Sequence, residues 1–173
     1  MTRNVIYFFF LFIGLVIAQV VIFNRIWLFN TAMPLVFIYF FISLPINTNI
    51  KLVLTLSFLL GFTVDIFSDT PGLNTLCCTI SAALRRPILR LYLPREEDMT
   101  GSIPSPKSMG RAPYMKYLIT LTVLYCLLFF IILSFDFFNL WRLITRTIAS
   151  SALTFIILLA FSNIFVPKLE NRK

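Results

Sequence analysis

The sequence predicts an all-α membrane protein: a compact bundle of about six transmembrane helices with both termini in the cytoplasm. Three observations lead there. Hydrophobic residues make up 59% of the 173 and charged residues 13%, against roughly a quarter charged in a soluble domain. The apolar residues gather into runs long enough to cross a hydrocarbon core of about 30 Å. The basic residues fall very unequally on the two sides of those runs, which sets an orientation. Twenty phenylalanines add apolar area that a globule of this size has too little interior to hide.

A single integral domain, residues 1–173, is expected, with spans near 5–23, 32–44, 52–67, 73–93, 117–135 and 138–166. The first run follows Arg3 and has no small-residue cleavage site after it, so it reads as a retained span, not a signal peptide. The second is short, bounded by Pro34 and Pro45. Either it starts earlier, near Ile26, or the bilayer thins around it. The third is entered from Lys51. A tight connection follows it, Ser68-Asp69-Thr70-Pro71-Gly72. Thr70 there is expected as the N-cap of the fourth span, with Pro71 at its first helical position. Pro87 is expected to bend that helix, and Pro167 to end the sixth. Residues 94–113 carry Pro94, Pro104, Pro106 and Pro113 and read as a cytoplasmic loop without regular structure.

With the amino terminus inside, twelve of the fifteen basic residues fall on the cytoplasmic side. Seven of them, Arg85, Arg86, Arg90, Arg95, Lys107, Arg111 and Lys116, lie around the long loop. Arg25, Arg142 and Arg146 are left outside. The cluster Arg85, Arg86, Arg90 and Arg95 marks the exit of the fourth span. It is either a topological anchor on anionic lipid headgroups or a protein-docking patch.

Asp65 lies fourteen residues beyond Lys51, about 21 Å along a helix, and so near the outer edge of the core. A buried charge there needs a partner or a cavity. Asp65 is therefore expected to face the bundle interior, with Arg146 or Arg142 as partner; those two share a helix face at i and i+4. The alternative has both arginines reaching headgroups and Asp65 hydrated from outside.

Catalytic chemistry finds little purchase. The chain has no histidine, which removes His-based acid–base catalysis and His zinc sites. An intramembrane aspartyl protease needs two deep carboxylates, and Asp69 falls beyond the span that holds Asp65. Cys77, Cys78 and Cys126 lie in apolar runs without metal-ligand spacing and read as buried small hydrophobes. No enzyme activity, cofactor or nucleic-acid partner is expected.

The stretch Gly61-Phe62-Thr63-Val64-Asp65-Ile66-Phe67-Ser68, continuing Asp69-Thr70-Pro71-Gly72-Leu73-Asn74, resembles the core motif of the rod-shape-determining MreD family. That pattern is Gly-x-x-x-Asp-hydrophobic-x-Ser, then a Gly-containing connection and a small-residue helix leaving through an Arg-Pro segment. Arg85-Arg86-Pro87-Ile88-Leu89-Arg90 occupies the last position. Ser105-Pro106-Lys107-Ser108-Met109-Gly110 before Tyr117 is similar to the entry to the fifth span in part of the family. Where some relatives carry histidine in the fifth span, this chain has Tyr125-Cys126-Leu127-Leu128, with Asp136 near the end.

The resemblance implies a non-catalytic scaffold of the elongasome in the bacterial inner membrane. It implies as partners an MreC-like protein, a RodA-type glycosyltransferase and its penicillin-binding transpeptidase. It also implies a fold similar to the substrate-binding subunits of energy-coupling-factor transporters. Small residues in the fourth span (Thr79, Ser81, Ala82, Ala83) and the sixth (Ala149, Ser150, Ser151, Ala152) suit close helix contacts, either within the bundle or with a partner. The other reading, a small-molecule binding or transport subunit, requires Asn47, Asn49, Asp65, Asp69, Asn74 and Arg146 to converge on a pocket.

Overall fold

The computed structural model describes residues 2–25, 33–46, 48–93, 103–106, 108–133 and 140–164. Arg95, Glu96, Glu97, Asp98, Lys107 and Asp136, with the side chain of Arg142, lie outside the described residues. Among those described, every regular element is helical. Three helices are long and apolar enough to cross a membrane: Ile50–Ser68, Arg111–Leu133 and Leu143–Ser162. A shorter apolar run covers Ile6–Ile22.

Helix α1, Thr2–Ile17, widens into a π-helical turn at Ala18–Ile22 and ends in a 3-10 turn at Phe23–Arg25. The second hydrophobic run departs from the expected helix over 32–44. Residues 33–35 are non-helical, Val36–Ile38 form a 3-10 turn, and α2 covers only Tyr39–Ser43. Pro34 explains the departure in part, since a residue preceding proline is pushed out of the helical region.

The backbone donors freed by that break find side chains from distant helices. Met33 N donates to Ser150 Oγ at 3.1 Å and Leu35 N to Thr154 Oγ1 at 3.1 Å. Val36 N donates to Gln19 Oε1 at 2.9 Å, while Gln19 Nε2 donates to the Pro34 carbonyl at 3.0 Å. Irregular backbone survives away from water only where protein supplies its hydrogen bonds. The segment is apolar on every face, and such an element belongs in the middle. Val36 through Ile42 are all buried, packed on α1 and on the helices over Ile50–Ser68, Leu73–Tyr92 and Leu140–Ile164. Phe40 takes Phe8 and Phe12 edge-on, and Phe37 meets Tyr125 the same way.

Helix α3, Ile50–Ser68, starts at Asn49, whose side chain accepts from Lys51 N at 3.2 Å as an N-cap residue should. Helix α4, Leu73–Tyr92, runs on through Pro87, which leaves the Ala83 carbonyl without its usual donor. Helix α5, Arg111–Leu133, begins inside the stretch expected to be loop. Gly110 precedes it with φ 83°, and Pro113 falls in its first turn, where proline is tolerated. Helix α6 is Leu140–Ile164. Successive helices pack on one another, α3 on α4, α4 on α5 and α5 on α6. Large apolar side chains such as Phe10, Phe62, Phe67, Ile148 and Ile156 point outward.

Candidate functional site

The α3–α4 connection concentrates the chemistry. Gly61 and Asp65 are four residues apart and share one face of α3. A Cβ placed on Gly61 would stand 2.5 Å from Thr75 Cα and 2.7 Å from the Asn74 carbonyl oxygen. Only glycine lets the α4 backbone approach this closely. One turn later, that approach brings Asp65 against the start of α4.

Asp65 is 5% exposed, and five hydrogen bonds converge on its carboxylate. Oδ1 accepts from Thr70 Oγ1, Asn74 N and Asn74 Nδ2, each at 2.9 Å. Oδ2 accepts from Thr75 N at 2.8 Å and Thr75 Oγ1 at 2.6 Å. The carboxylate thus caps the amino-terminal turn of α4, where unpaired N–H groups and the helix dipole both favour negative charge. Its own backbone carbonyl closes α3, accepting from Asp69 N and from Thr70 N at 3.4 Å. One residue ends a helix with its main chain and begins the next with its side chain.

The turn between the helices is built for this. Asp69 adopts the left-handed conformation with φ 52°, which aspartate tolerates better than most residues. Thr70, Pro71, Gly72 and Leu73 form a tight turn closed by Leu73 N on the Thr70 carbonyl at 3.3 Å. Gly72 has φ 80° and ψ −7°, the third position of a type II turn, which favours glycine.

These positions correct the expected capping. Gly72, not Thr70, stands at the N-cap of α4, and Pro71 precedes the helix. Thr70 instead gives its hydroxyl proton to Asp65. The turn over Thr70–Leu73 delays the helix start, so its free N–H groups are those of Asn74 and Thr75, and both are taken by Asp65. Of the two expected arginine partners, Arg146 makes no bond to Asp65, and the side chain of Arg142 lies outside the described residues. The bonds Asp65 makes go to Thr70, Asn74 and Thr75, not to Arg146. Arg146 lines a cavity together with Thr70, Ser68 and Asn24.

Two polar chains extend from the turn, one buried and one part-buried. Asn74 Oδ1 accepts from Tyr125 Oη at 3.0 Å, and Cys78 Sγ lies 4.0 Å from the same phenol. Asp65 is thereby tied to α5. Asn24 Nδ2 donates to Ser68 Oγ at 2.6 Å, and Gln19 Nε2 to Asn24 Oδ1 at 3.1 Å. This joins the end of α1 to the end of α3. Sequence reasoning placed Asn74 near the turn but missed Thr75, Tyr125, Gln19 and Asn24. A lone polar residue in an apolar run is the signal, yet its partner lies 44 residues away for Asn24 and 51 for Tyr125.

At the opposite end of α4, the basic cluster divides. Arg85 is 2% exposed. Its guanidinium donates to the Leu44 and Pro45 carbonyls and, through Nε, to Tyr117 Oη at 3.2 Å. Arg86 donates to the Thr48 carbonyl at 2.8 Å. Arg85 is thus buried against the carbonyls that follow α2, not a headgroup contact, whereas Arg90 is exposed. Cys77, Cys78 and Cys126 are free and buried. Among the described residues no cluster has metal-ligand character. Comparison with protein-family models, with curated proteins and with solved structures returned no match.

Proposed function

We propose that this chain is a non-catalytic, multi-pass scaffold subunit of the bacterial inner membrane, working in lateral cell-wall synthesis as MreD-type proteins do. The observation that carries the reading is the joint between α3 and α4. The Gly61-x-x-x-Asp65 spacing on which the resemblance rests has a physical reason here: close backbone approach followed by a carboxylate cap. The five donors on Asp65 commit it to holding two helices together, which suits a rigid subunit that presents a surface to partners. The outward apolar side chains suit lipid, and close-packed small residues suit helix contacts within it.

On this reading the partners are an MreC-like protein and, through it, a RodA-type glycosyltransferase with its transpeptidase. Arg86 and Arg90 then lie on the cytoplasmic side and the Asp65 joint near the outer face. Affinity purification of the tagged full-length chain from mildly solubilised membranes of a rod-shaped bacterium is the test. Recovery of the MreC-like protein and the glycosyltransferase is expected. Their absence under conditions that preserve other membrane complexes would overturn the scaffold role.

A further inference from the structure

The geometry points to a binding site for a phosphate- or carboxylate-bearing ligand in the cavity between the α3–α4 turn, α5 and α6. The cavity holds about 210 Å3 and is two-faced. Phe129, Phe130 and Leu133 form an apolar wall, and Arg146, Ser68, Asn24 and Thr70 form a polar one. Nothing in the scaffold role calls for it, and the inference stands apart from that role.

The donor inventory of the polar wall decides the ligand class. Thr70 has already given its proton to Asp65 and accepts from Asn74 Nδ2 at 3.1 Å. Ser68 Oγ accepts from Asn24 Nδ2, and its own hydroxyl proton is unspent among the described residues. Asn24 Oδ1 is occupied by Gln19, while one Nδ2 proton remains. Arg146 is half-buried and makes no hydrogen bond or ion pair among the described residues. Among the described residues, the lining therefore brings one guanidinium and two neutral side chains with a donor to spare to a largely apolar space, and no carboxylate is left without donors of its own. Such a wall selects an oxyanion, and the planar fork suits phosphate or carboxylate in particular.

Asp65 does not spoil the field, because its charge is already met by the α4 amino terminus behind Thr70. Benzene fits an engineered cavity of about 150 Å3. The larger volume here therefore takes an oxyanion with a short organic part, lying against Phe129 and Phe130. A phospholipid headgroup with the top of its glycerol meets that description, and so does a small free organic phosphate.

The test uses the full-length protein in two arms. In the first, the protein is placed in phosphatidylcholine nanodiscs containing a minority of phosphatidylglycerol, and native mass spectrometry reads which lipid stays bound on release. In the second, the protein in uncharged detergent is titrated with glycerol 3-phosphate by calorimetry. Retention of phosphatidylglycerol alone assigns the headgroup. Calorimetric binding assigns the free anion. Arg146→Gln is expected to weaken the bound species at least about tenfold. Leu133→Trp keeps the charge but fills the space, and is expected to lose the same species should Arg146→Gln fail to fold. No binding in either arm, or binding unchanged by both substitutions, overturns the site.

Discussion

At Asp65, a carboxylate buried at 5% exposure gathers two backbone N–H groups, two hydroxyls and an amide. Hydrogen bonds to a charged acceptor are worth more than neutral ones, and removing the acceptor leaves each donor unsolvated. Asp65→Ala is therefore expected to cost about 3 kcal/mol or more, read as a large loss of thermal stability in detergent. Asp65→Asn should cost less but not recover, because its amide nitrogen points a donor at donors. Gly61 is the steric half of the same device. Gly61→Ala drives a methyl against the α4 backbone and is expected to cost about 2 kcal/mol or more. Gly14, in α1, has nothing near its virtual Cβ. Gly14→Ala should be neutral or stabilise by up to about 1 kcal/mol through helix propensity. Equal effects at the two glycines would remove the close-approach argument.

At the scale of elements, the second hydrophobic run teaches most. Its apolar length predicts a helix, but Pro34 breaks the start. Side chains from α1 and α6 then take over the backbone bonding that a helix would have supplied internally. Thr154→Val keeps the shape and removes the acceptor of Leu35 N. It is expected to cost about 1–2 kcal/mol, measurable as a lowered unfolding midpoint, and no change would mean that water satisfies that N–H. The apolar runs of α3, α5 and α6 were legible because each carries its own signal over many residues. The position of Asp65 near the end of α3 was legible for the same reason.

Its partners were not legible. Pairing an aspartate with an arginine is the local expectation for a buried charge, but a helix start folded back against it offers more donors at shorter reach. That alternative depends on Gly61 admitting α4, a three-dimensional fact that spacing only hints at. The burial of Arg85 was hidden likewise, since a basic residue at a span exit reads as an interfacial anchor until the Leu44 carbonyl is placed beside it.

Over the whole molecule a common rule emerges. Among the described residues, the buried acid sits at the amino-terminal end of α4, and the buried base sits on the Leu44 and Pro45 carbonyls just past α2. Each charge answers backbone groups of the opposite partial sign, so the two need not find each other across the bundle. Both ends of α4 are thereby held to neighbouring elements, by Asp65 at its start and by Arg85 near its end.

Asp65 serves a helix end and not an ion pair with Arg146, and two double-mutant cycles distinguish the two arrangements. Unfolding free energies in one detergent would be measured for Asp65→Asn, Thr75→Val, Arg146→Gln and the two double variants containing Asp65→Asn. A coupling of about 1 kcal/mol or more is expected between Asp65 and Thr75. Additivity within about 0.5 kcal/mol is expected between Asp65 and Arg146. A larger coupling to Arg146 than to Thr75 would contradict the helix-end arrangement.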